Sequence, residues 1–337
     1  GVVVVHAFSD SSYDRSSFHI AGSPAQVEIV ASNLIVAAIR RLSEFEKDCA
    51  DRGSTKDSDN AISTPHPTVG LVDHVSVLPL CEHREPVNPS STLAPPPPIT
   101  GQVAKSIGNI MRQQCGIDVL YYGYADPDNT PLAVVRRDRT NFFKPSRPTD
   151  GNASRRDSVV RDVKLSGMAH GGQATVGAPP NFSENYNIRL HPHIDKKQAQ
   201  TLTKFIRERS GGLKFVEALT LPYYNNKKGG VLQYEVACNL LNPNVSSTRD
   251  IDERVGMWEK EIVRKEKSNV GSNHKIISSS HGDEESLSSL IEKSYRVGTT
   301  IEMCRHALEQ TKSKDTEEKY NNKVFNKLKG YLAGNEQ

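Results

Sequence analysis

A histidine between two prolines is the residue of this sequence best suited to proton-transfer chemistry. His66 stands in the run Pro65-His66-Pro67, and Asp73 follows seven residues later. A neutral imidazole, with an ordinary pKa of about 6.5, takes a proton from a nucleophile and returns it to a leaving group at neutral pH. The pattern indicates a general base at His66, with Asp73 fixing its tautomer or meeting a cationic substrate. The alternative interpretation is a surface turn at His66 and a cap at Asp73.

The other histidine and glycine patterns are weaker evidence for a metal or nucleotide site. His191 and His193 have the spacing of a chelating pair, but a proline separates them and the sequence offers no third ligand. We therefore predict a loop there, with no metal site. Gly171-Gly172 with Gly177 resembles a phosphate-binding loop but lacks its Lys-Ser/Thr ending, so nucleotide binding is not expected.

Composition narrows the classes of partner. The 337 residues carry 43 Lys and Arg against 40 Asp and Glu, a net charge of +3, so we expect no nucleic acid partner. Apolar stretches stay far below the roughly 20 residues that a membrane span needs. The five cysteines are scattered without CxxC spacing, which argues against a disulfide framework. This favours a reducing compartment, cytoplasmic or organellar, such as a mitochondrion or plastid.

The first half of the chain alternates strands and helices between polar loops. A strand starts at Val2, so we expect further sequence upstream, and Ser23 with Pro24 begins the first helix. The patterns predict strands at residues 2–8, 16–21, 71–80 and 118–124 and helices at 24–47, 99–114 and 132–137. Together they predict a mixed sheet with covering helices.

The second half has a more regular pattern. Strands are predicted at residues 184–190, 214–221, 231–240 and 294–300, and helices at 195–210 and 247–265. Asp195 caps the first of these helices, and Gly211 with Gly212 ends it. The order βαββαβ is that of the ferredoxin-like unit, which makes the chain an α/β (α+β) protein.

Six short strings give the chain a family resemblance. They are Tyr13-Asp14-Arg15 leading to Ala21-Gly22-Ser23-Pro24, His66-Pro67-Thr68-Val69-Gly70-Leu71-Val72-Asp73, Leu120-Tyr121-Tyr122-Gly123, Gly177-Ala178-Pro179-Pro180 with Asn185-Tyr186-Asn187, Ser210-Gly211-Gly212-Leu213-Lys214, and Asn239-Leu240-Leu241-Asn242-Pro243-Asn244. In order and spacing, over about residues 1–308, the chain resembles the formiminotransferases (glutamate formimidoyltransferases), in particular their divergent plant and algal branch.

The resemblance implies both a fold and a reaction. It implies two ferredoxin-like subdomains with helices on one face of each sheet, at residues 1–178 without the family's first strand and at residues 179–310. It implies transfer of a formimino group from formiminoglutamate to N5 of tetrahydrofolate, with His66 and Asp73 catalytic, and a homodimer. It further implies substrate-binding roles for Arg15, Gly70, Tyr122, Gly123, Gly177, Asn185 and Asn187.

The chain departs from the family pattern around these residues. Residues 60–65 read Asn-Ala-Ile-Ser-Thr-Pro where many members carry charged partners of the histidine, and Gly123-Tyr124 stands in place of Gly-Glu. Two functions therefore stay open. One is an active folate-dependent transferase; the other is a catalytically weakened member that binds folate or serves as a structural subunit of a larger assembly.

The tail at residues 313–337 lies beyond the family core. At residues 317–332, Tyr320, Val324, Phe325 and Leu328 form a helical apolar stripe among lysines. We predict a helical extension that docks either on its own chain or on a protein partner.

Overall fold

A computed structural model describes the backbone of residues 1–51, 66–80, 98–140, 142, 172–225, 230–271 and 289–311. It describes the side chains of the same residues except 43–51 and 266–271. Two compact units result. One runs from Gly1 to Phe182 and includes the described residues from Thr300 onward; the other is Ser183–Thr299. The predicted tail helix at residues 317–332 lies outside the described residues. In the part of the chain described, no helix is long and apolar enough to cross a membrane.

The protein is a mixed α/β structure with six helices and three sheets in its described residues. The elements run in the order β1 (Val2–Asp10), β2 (Arg15–Gly22), α1 (Pro24–Asp51), β3 (His74–Ser76), α2 (Ile99–Cys115), β4 (Asp118–Gly123), α3 (Leu132–Asp138), β5 (Gln173–Ala178), β6 (Glu184–Leu190), α4 (Lys196–Ile206), β7 (Val216–Asn225), β8 (Val231–Leu240), α5 (Thr248–Gly271), β9 (Ile291–Arg296) and α6 (Ile301–Gln310).

Two sheets form in the first unit, where the sequence predicts one mixed sheet. β1 and β2 make an antiparallel hairpin, and β3, β5 and β4 make a parallel sheet with β5 in the centre. β5 was not predicted. Five of its six residues are buried, but the run Gln-Ala-Thr-Val-Gly-Ala contains a single large apolar side chain, so its composition gives only a weak strand signal.

Helix α2 covers the parallel sheet with a continuous apolar face. Val103, Ala104, Ile107 and Met111 recur at helical spacing and are at most 4% exposed. They pack in one cluster with β4 and β5 side chains, including Val119 and Val176. The helix ends at Gly116, whose φ of 66° is left-handed and whose N–H donates back to the last turn. This packing holds β4 and β5 in place beside the site described below.

The second unit is a four-stranded antiparallel sheet in the order β7-β8-β6-β9, with the predicted succession βαββαβ confirmed. One face carries Ile188, Val236 and Leu240, which pack against Leu202 of α4 and Trp258 of α5. The Asp195 side chain accepts from Gln198 N, and Oε1 of Gln198 accepts from Asp195 N, so the predicted cap is present. The last strand ends at Arg296, before the predicted end at Thr300.

Helix α6 packs with the first unit, whereas the sequence analysis placed residues 179–310 in one subdomain. The Thr300 side chain accepts from Met303 N and begins a helix where the sequence predicts the end of a strand. Cys304 and Ala307 are buried with Val3 and Val5 of β1 and with Phe182. The helix therefore belongs to the first unit, and the second unit is confined to Ser183–Thr299.

The second unit's core gives a stability prediction. Leu202 is 0% exposed, so Leu202→Ala removes buried methyl groups and leaves a cavity. We expect its free energy of unfolding to fall by about 2–5 kcal/mol, measured by urea denaturation. Met257→Ala, on α5 but 57% exposed, is the control and should change little. Equal stability of the two variants would contradict the assigned core.

Candidate functional site

The hairpin turn between β1 and β2 positions two side chains of the site. Oδ1 of Asp10 accepts hydrogen bonds from the backbone N–H groups of Ser12, at 2.8 Å, and of Tyr13, at 3.2 Å. This Asx-type arrangement closes the turn. Tyr13 is buried, at 5% exposed, and Arg15 begins β2 two residues later.

The segment from His66 to Ser76 is fastened along β5. Gln173 N donates to Val69 O at 3.2 Å, and Thr175 N donates to Asp73 O at 3.1 Å. Oδ1 of Asp73 also accepts from Val69 N at 2.9 Å, which closes the loop that follows His66. The position of the imidazole therefore depends on the central strand of the parallel sheet.

The hydrogen bonds of His66 define one tautomer of its ring. Nδ1 lies 2.7 Å from the carbonyl oxygen of Pro67, which can only accept, so Nδ1 carries the proton. Nη1 of Arg15 can only donate, and it lies 2.9 Å from Nδ1 and 2.5 Å from Nε2. Because the Nδ1 proton is directed at the Pro67 carbonyl, Nε2 is the unprotonated nitrogen that accepts from Arg15. The ring of Tyr13 meets the imidazole edge-on at 5.6 Å between centroids. His66 is thus neutral, with its basic nitrogen facing Arg15.

Burial and charge both keep the ring neutral. The pKa of His66 falls to about 4, first because burial disfavours the charged ring and second because Arg15 stands beside it. The Pro67 carbonyl and Asp73 oppose this fall, while Arg136 adds to it. At neutral pH His66 is therefore a proton acceptor, and a weak one as long as Arg15 remains in contact.

Asp73 binds two arginines, whereas the sequence suggested contact with the imidazole or with a substrate. Its Oδ2 lies 2.9 Å from Nη2 of Arg136 and 3.3 Å from Nη2 of Arg15. Burial by itself raises the carboxyl pKa, but the charges of Arg136 and Arg15 outweigh it and the pKa of Asp73 is lowered. The carboxylate is ionised, and it is the Pro67 carbonyl that fixes the His66 tautomer.

Arg136 of α3 is a site residue that the sequence analysis did not identify. Its guanidinium donates to Asp73 and to Oγ1 of Thr175, the latter at 3.3 Å, and lies 4.2 Å from the centre of the Phe142 ring. The Arg136-Arg137 pair at the end of a predicted short helix was the available signal, since adjacent helical residues point about 100° apart. In the structure Arg136 is the one that contacts Asp73 and Thr175.

The predicted substrate-binding residues Tyr122, Gly123 and Gly177 have packing roles in the structure. Tyr122 is 3% exposed, donates to Oγ of Ser76 at 2.9 Å and lies 2.8 Å from Nε2 of His74. A Cβ on Gly177, its partner on β5, would lie 2.4 Å from the Tyr122 ring. Gly123 has a left-handed φ of 54°. These residues bring β4 and β5 together beside the His66 segment.

A close approach of the backbone also explains why position 70 is a glycine. It forms an isolated antiparallel bridge with Gly172, and a Cβ on it would stand 2.2 Å from the carbonyl oxygen of Gln173. A side chain at this position would push the His66 segment away from β5.

Asn185 and Asn187 belong to the second unit. Nδ2 of Asn185 donates to Oδ1 of Asn239 at 2.6 Å, and Nδ2 of Asn187 donates to Oε1 of Glu235 at 2.7 Å. Glu235 is 0% exposed and also binds Arg189 at 2.9 Å. Both asparagines therefore take part in polar pairs on the sheet face opposite α4 and α5.

Neither a metal-binding cluster nor a known relative indicates the function of this site. Within the described ranges, no group of three or more His, Cys, Asp or Glu side chains is placed to hold a metal ion. His191 and His193 stack at 5.8 Å between ring centroids. No protein-family model matches the chain, and no curated protein matches it significantly.

The close contact at Gly177 gives a second stability prediction. In Gly177→Ala the new methyl group meets the Tyr122 ring and the β4 backbone, so a strand pair must shift. We expect a loss of about 1–3 kcal/mol in the free energy of unfolding, as for other overpacked cores. Gly256→Ala is the matched control: nothing lies within 4 Å of its new methyl group, and alanine favours the helix. A stable Gly177→Ala variant would show that this contact is not a constraint.

The third prediction concerns the pH dependence of stability. Folded His66 takes up a proton near pH 4, whereas a histidine of the unfolded chain does so near pH 6.5. Between these values the unfolded state holds more protons, so acidification lowers the free energy of unfolding. His66→Gln removes this contribution and keeps an acceptor for Arg15. The wild type should lose more stability than the variant on acidification from neutral pH, measured by urea titrations. Parallel losses would refute a buried neutral His66.

Proposed function

We propose that this protein binds a reduced folate and transfers a formimino group from formiminoglutamate to its N5, with His66 as the general base. The observation that carries the proposal is that His66 is held neutral in a single tautomer, with Nε2 as the basic atom. A base of this kind serves a reaction in which one proton leaves an attacking amine and another nitrogen must regain it.

The reaction requires a defined movement of one proton. N5 of tetrahydrofolate attacks the formimino carbon, the N5–C bond forms, and Nε2 of His66 receives the proton that N5 loses. The bond between that carbon and the glutamate nitrogen then breaks, and the imidazolium returns the proton to this nitrogen. The products are N5-formimino-tetrahydrofolate and glutamate. Because Nδ1–H stays bonded to Pro67, the ring keeps its orientation throughout.

The charges around His66 suit an anionic donor. Arg15 and Arg136 carry two positive charges against the single carboxylate of Asp73, which leaves one net positive charge beside the neutral imidazole. The Arg15 side chain is 34% exposed and can meet a solute carboxylate. Guanidinium groups bind carboxylates through two parallel hydrogen bonds. Formiminoglutamate, with two carboxylates, matches this environment.

The second unit supports a place in the formiminotransferase family. Its strand order β7-β8-β6-β9, with α4 and α5 packed on one face, is that of a ferredoxin-like unit. The family resemblance of the sequence implies two such subdomains. In the first unit the described strands form a hairpin and a parallel three-stranded sheet, so that unit supports the family assignment less directly.

A second candidate function is a folate-binding or structural subunit without turnover. The observation in its favour is the bond from Arg15 to Nε2 of His66, the nitrogen that must accept the proton. A base with a pKa of about 4 is also poorly matched to neutral pH. In this form the site binds the ligand but has no available base.

The decisive experiment separates binding from turnover. Tetrahydrofolate binding is measured by calorimetry and formiminoglutamate turnover by a coupled assay, for the wild type and His66→Ala. We expect the variant to bind folate nearly as well and to lose about 10²- to 10⁴-fold in turnover, the usual contribution of a general base. His193→Ala, an exposed histidine of the second unit, is the control and should keep full activity.

Each other outcome has a defined meaning. Full activity of His66→Ala excludes the role of His66. Folate binding by a wild type that shows no turnover favours the non-catalytic candidate. The absence of both folate binding and turnover removes the transferase assignment and leaves a structural role.

A further inference from the structure

The two arginines that bind Asp73 are held in unequal ways. Arg136 is 13% exposed, lies 2.9 Å from Asp73, donates to Thr175 and packs on the Phe142 ring. Arg15 is 34% exposed, lies 3.3 Å from Asp73, and directs its other terminal nitrogen at a neutral imidazole. Arg15 is therefore the exchangeable member of the pair and Arg136 the fixed one.

We propose that Arg15 is an anion-responsive latch on His66: a small carboxylate ligand draws the guanidinium away from Nε2 and so releases the lone pair of the imidazole. The ligand class is an aliphatic carboxylate of glutamate type. Only the identity of the natural ligand rests on the proposed function. The latch itself involves Arg15, His66 and a carboxylate, without folate and without turnover.

The exchange favours the ligand because of what Arg15 gives up and what it gains. It gives up one hydrogen bond to a neutral nitrogen and a long contact with a carboxylate that is already shared. It gains a two-pronged bond to an ionised carboxylate, which is among the stronger hydrogen-bond arrangements in proteins. The exposed third of its side chain gives the ligand access.

The departure of Arg15 leaves Asp73 properly paired. The carboxylate keeps Arg136 at 2.9 Å and the Val69 N–H at 2.9 Å. A buried carboxylate with a guanidinium and a backbone donor has no uncompensated charge. The latch can therefore open without disturbing the segment that carries His66.

The proton affinity of His66 reports the state of the latch. Among the described residues, the groups that face its ring are Arg15 from β2, Asp73 from its own segment, Arg136 from α3, and the rings of Tyr13 and Phe142. When Arg15 turns to a carboxylate, one lowering influence on the His66 pKa is neutralised while the raising influence of Asp73 remains. The pKa of His66 should therefore rise on ligand binding, towards the range useful for a base.

The test is an NMR titration of the full chain with ¹⁵N-labelled histidine rings. The probe is glutarate, a dicarboxylate without an amine, and the control is its neutral diamide, glutaramide. His66 signals are assigned by their loss in His66→Gln. We expect glutarate to shift the Nε2 resonance saturably and to raise the His66 pKa by about 1 to 3, the usual effect of a nearby charge. Glutaramide should have no effect.

Variants make the result specific to Arg15. In Arg15→Gln the His66 pKa should already be raised without ligand, and glutarate should change it little. Arg15→Lys keeps the positive charge but lacks the planar guanidinium that forms two parallel hydrogen bonds. A higher glutarate concentration should therefore be needed to raise the His66 pKa in this variant. Arg209→Gln, an exposed arginine of the second unit, should behave as the wild type. The remaining histidine signals report whether each variant is folded.

Three results would overturn the latch. They are a His66 titration unchanged by saturating glutarate in the wild type, an equal response to glutaramide, and an unchanged His66 pKa in folded Arg15→Gln. If the latch opens but the protein neither binds folate nor turns over formiminoglutamate, the latch stands and the transferase proposal fails. If turnover depends on His66 and glutarate has no effect, the transferase proposal stands and the latch fails.

Discussion

The buried carboxylate of Asp73 is the group on which the arrangement around His66 depends. One of its oxygens closes the loop after His66 through Val69 N, and its backbone oxygen ties the same segment to Thr175 of β5. A carboxylate with only a tenth of its side chain exposed needs cationic partners, and Arg136 and Arg15 supply them. Their charges, added to burial, then keep the neighbouring imidazole neutral. The single buried charge of Asp73 thus sets the backbone path around the candidate base, whereas burial and the two arginines keep its imidazole neutral.

Elements with strong local signals were predictable from the sequence, and elements defined by distant partners were not. The helical pattern of α2 and the cap at Asp195 are local, and both predictions agree with the structure. Strand β5 has a short run of mostly small or polar residues beside glycines, and β3 and β4 pair with it on both sides. Helix α6 packs on β1, which lies at the opposite end of the sequence. Tertiary contact decides both elements, and no short window of sequence contains it.

The same distinction separates the site residues. His66 and Asp73 stand out because a titratable pair between prolines and a strand is visible in the sequence. Arg136 acquires its role only when α3 turns it towards Asp73 and the Phe142 ring. Gly177 appears in sequence as part of a glycine-rich motif, yet its requirement for glycine comes from the Tyr122 ring on the neighbouring strand. Sequence therefore identified the candidate base and its neighbouring carboxylate, but not the contacts of Arg136 or the reason for glycine at position 177.

Two buried carboxylates, Asp73 and Glu235, differ in how firmly their arginine partners are held. Glu235 is fully buried, and its partner Arg189, 6% exposed, is held additionally by the hydroxyl of Tyr295 and the ring of Tyr223. Separating Arg189 from Glu235 would leave a buried charge without its counter-ion, at a cost of about 3–5 kcal/mol. Asp73 instead has one deeply held arginine and one that is a third exposed. Only the second arrangement can lose a guanidinium to a ligand and remain folded, because the first arginine keeps the carboxylate paired.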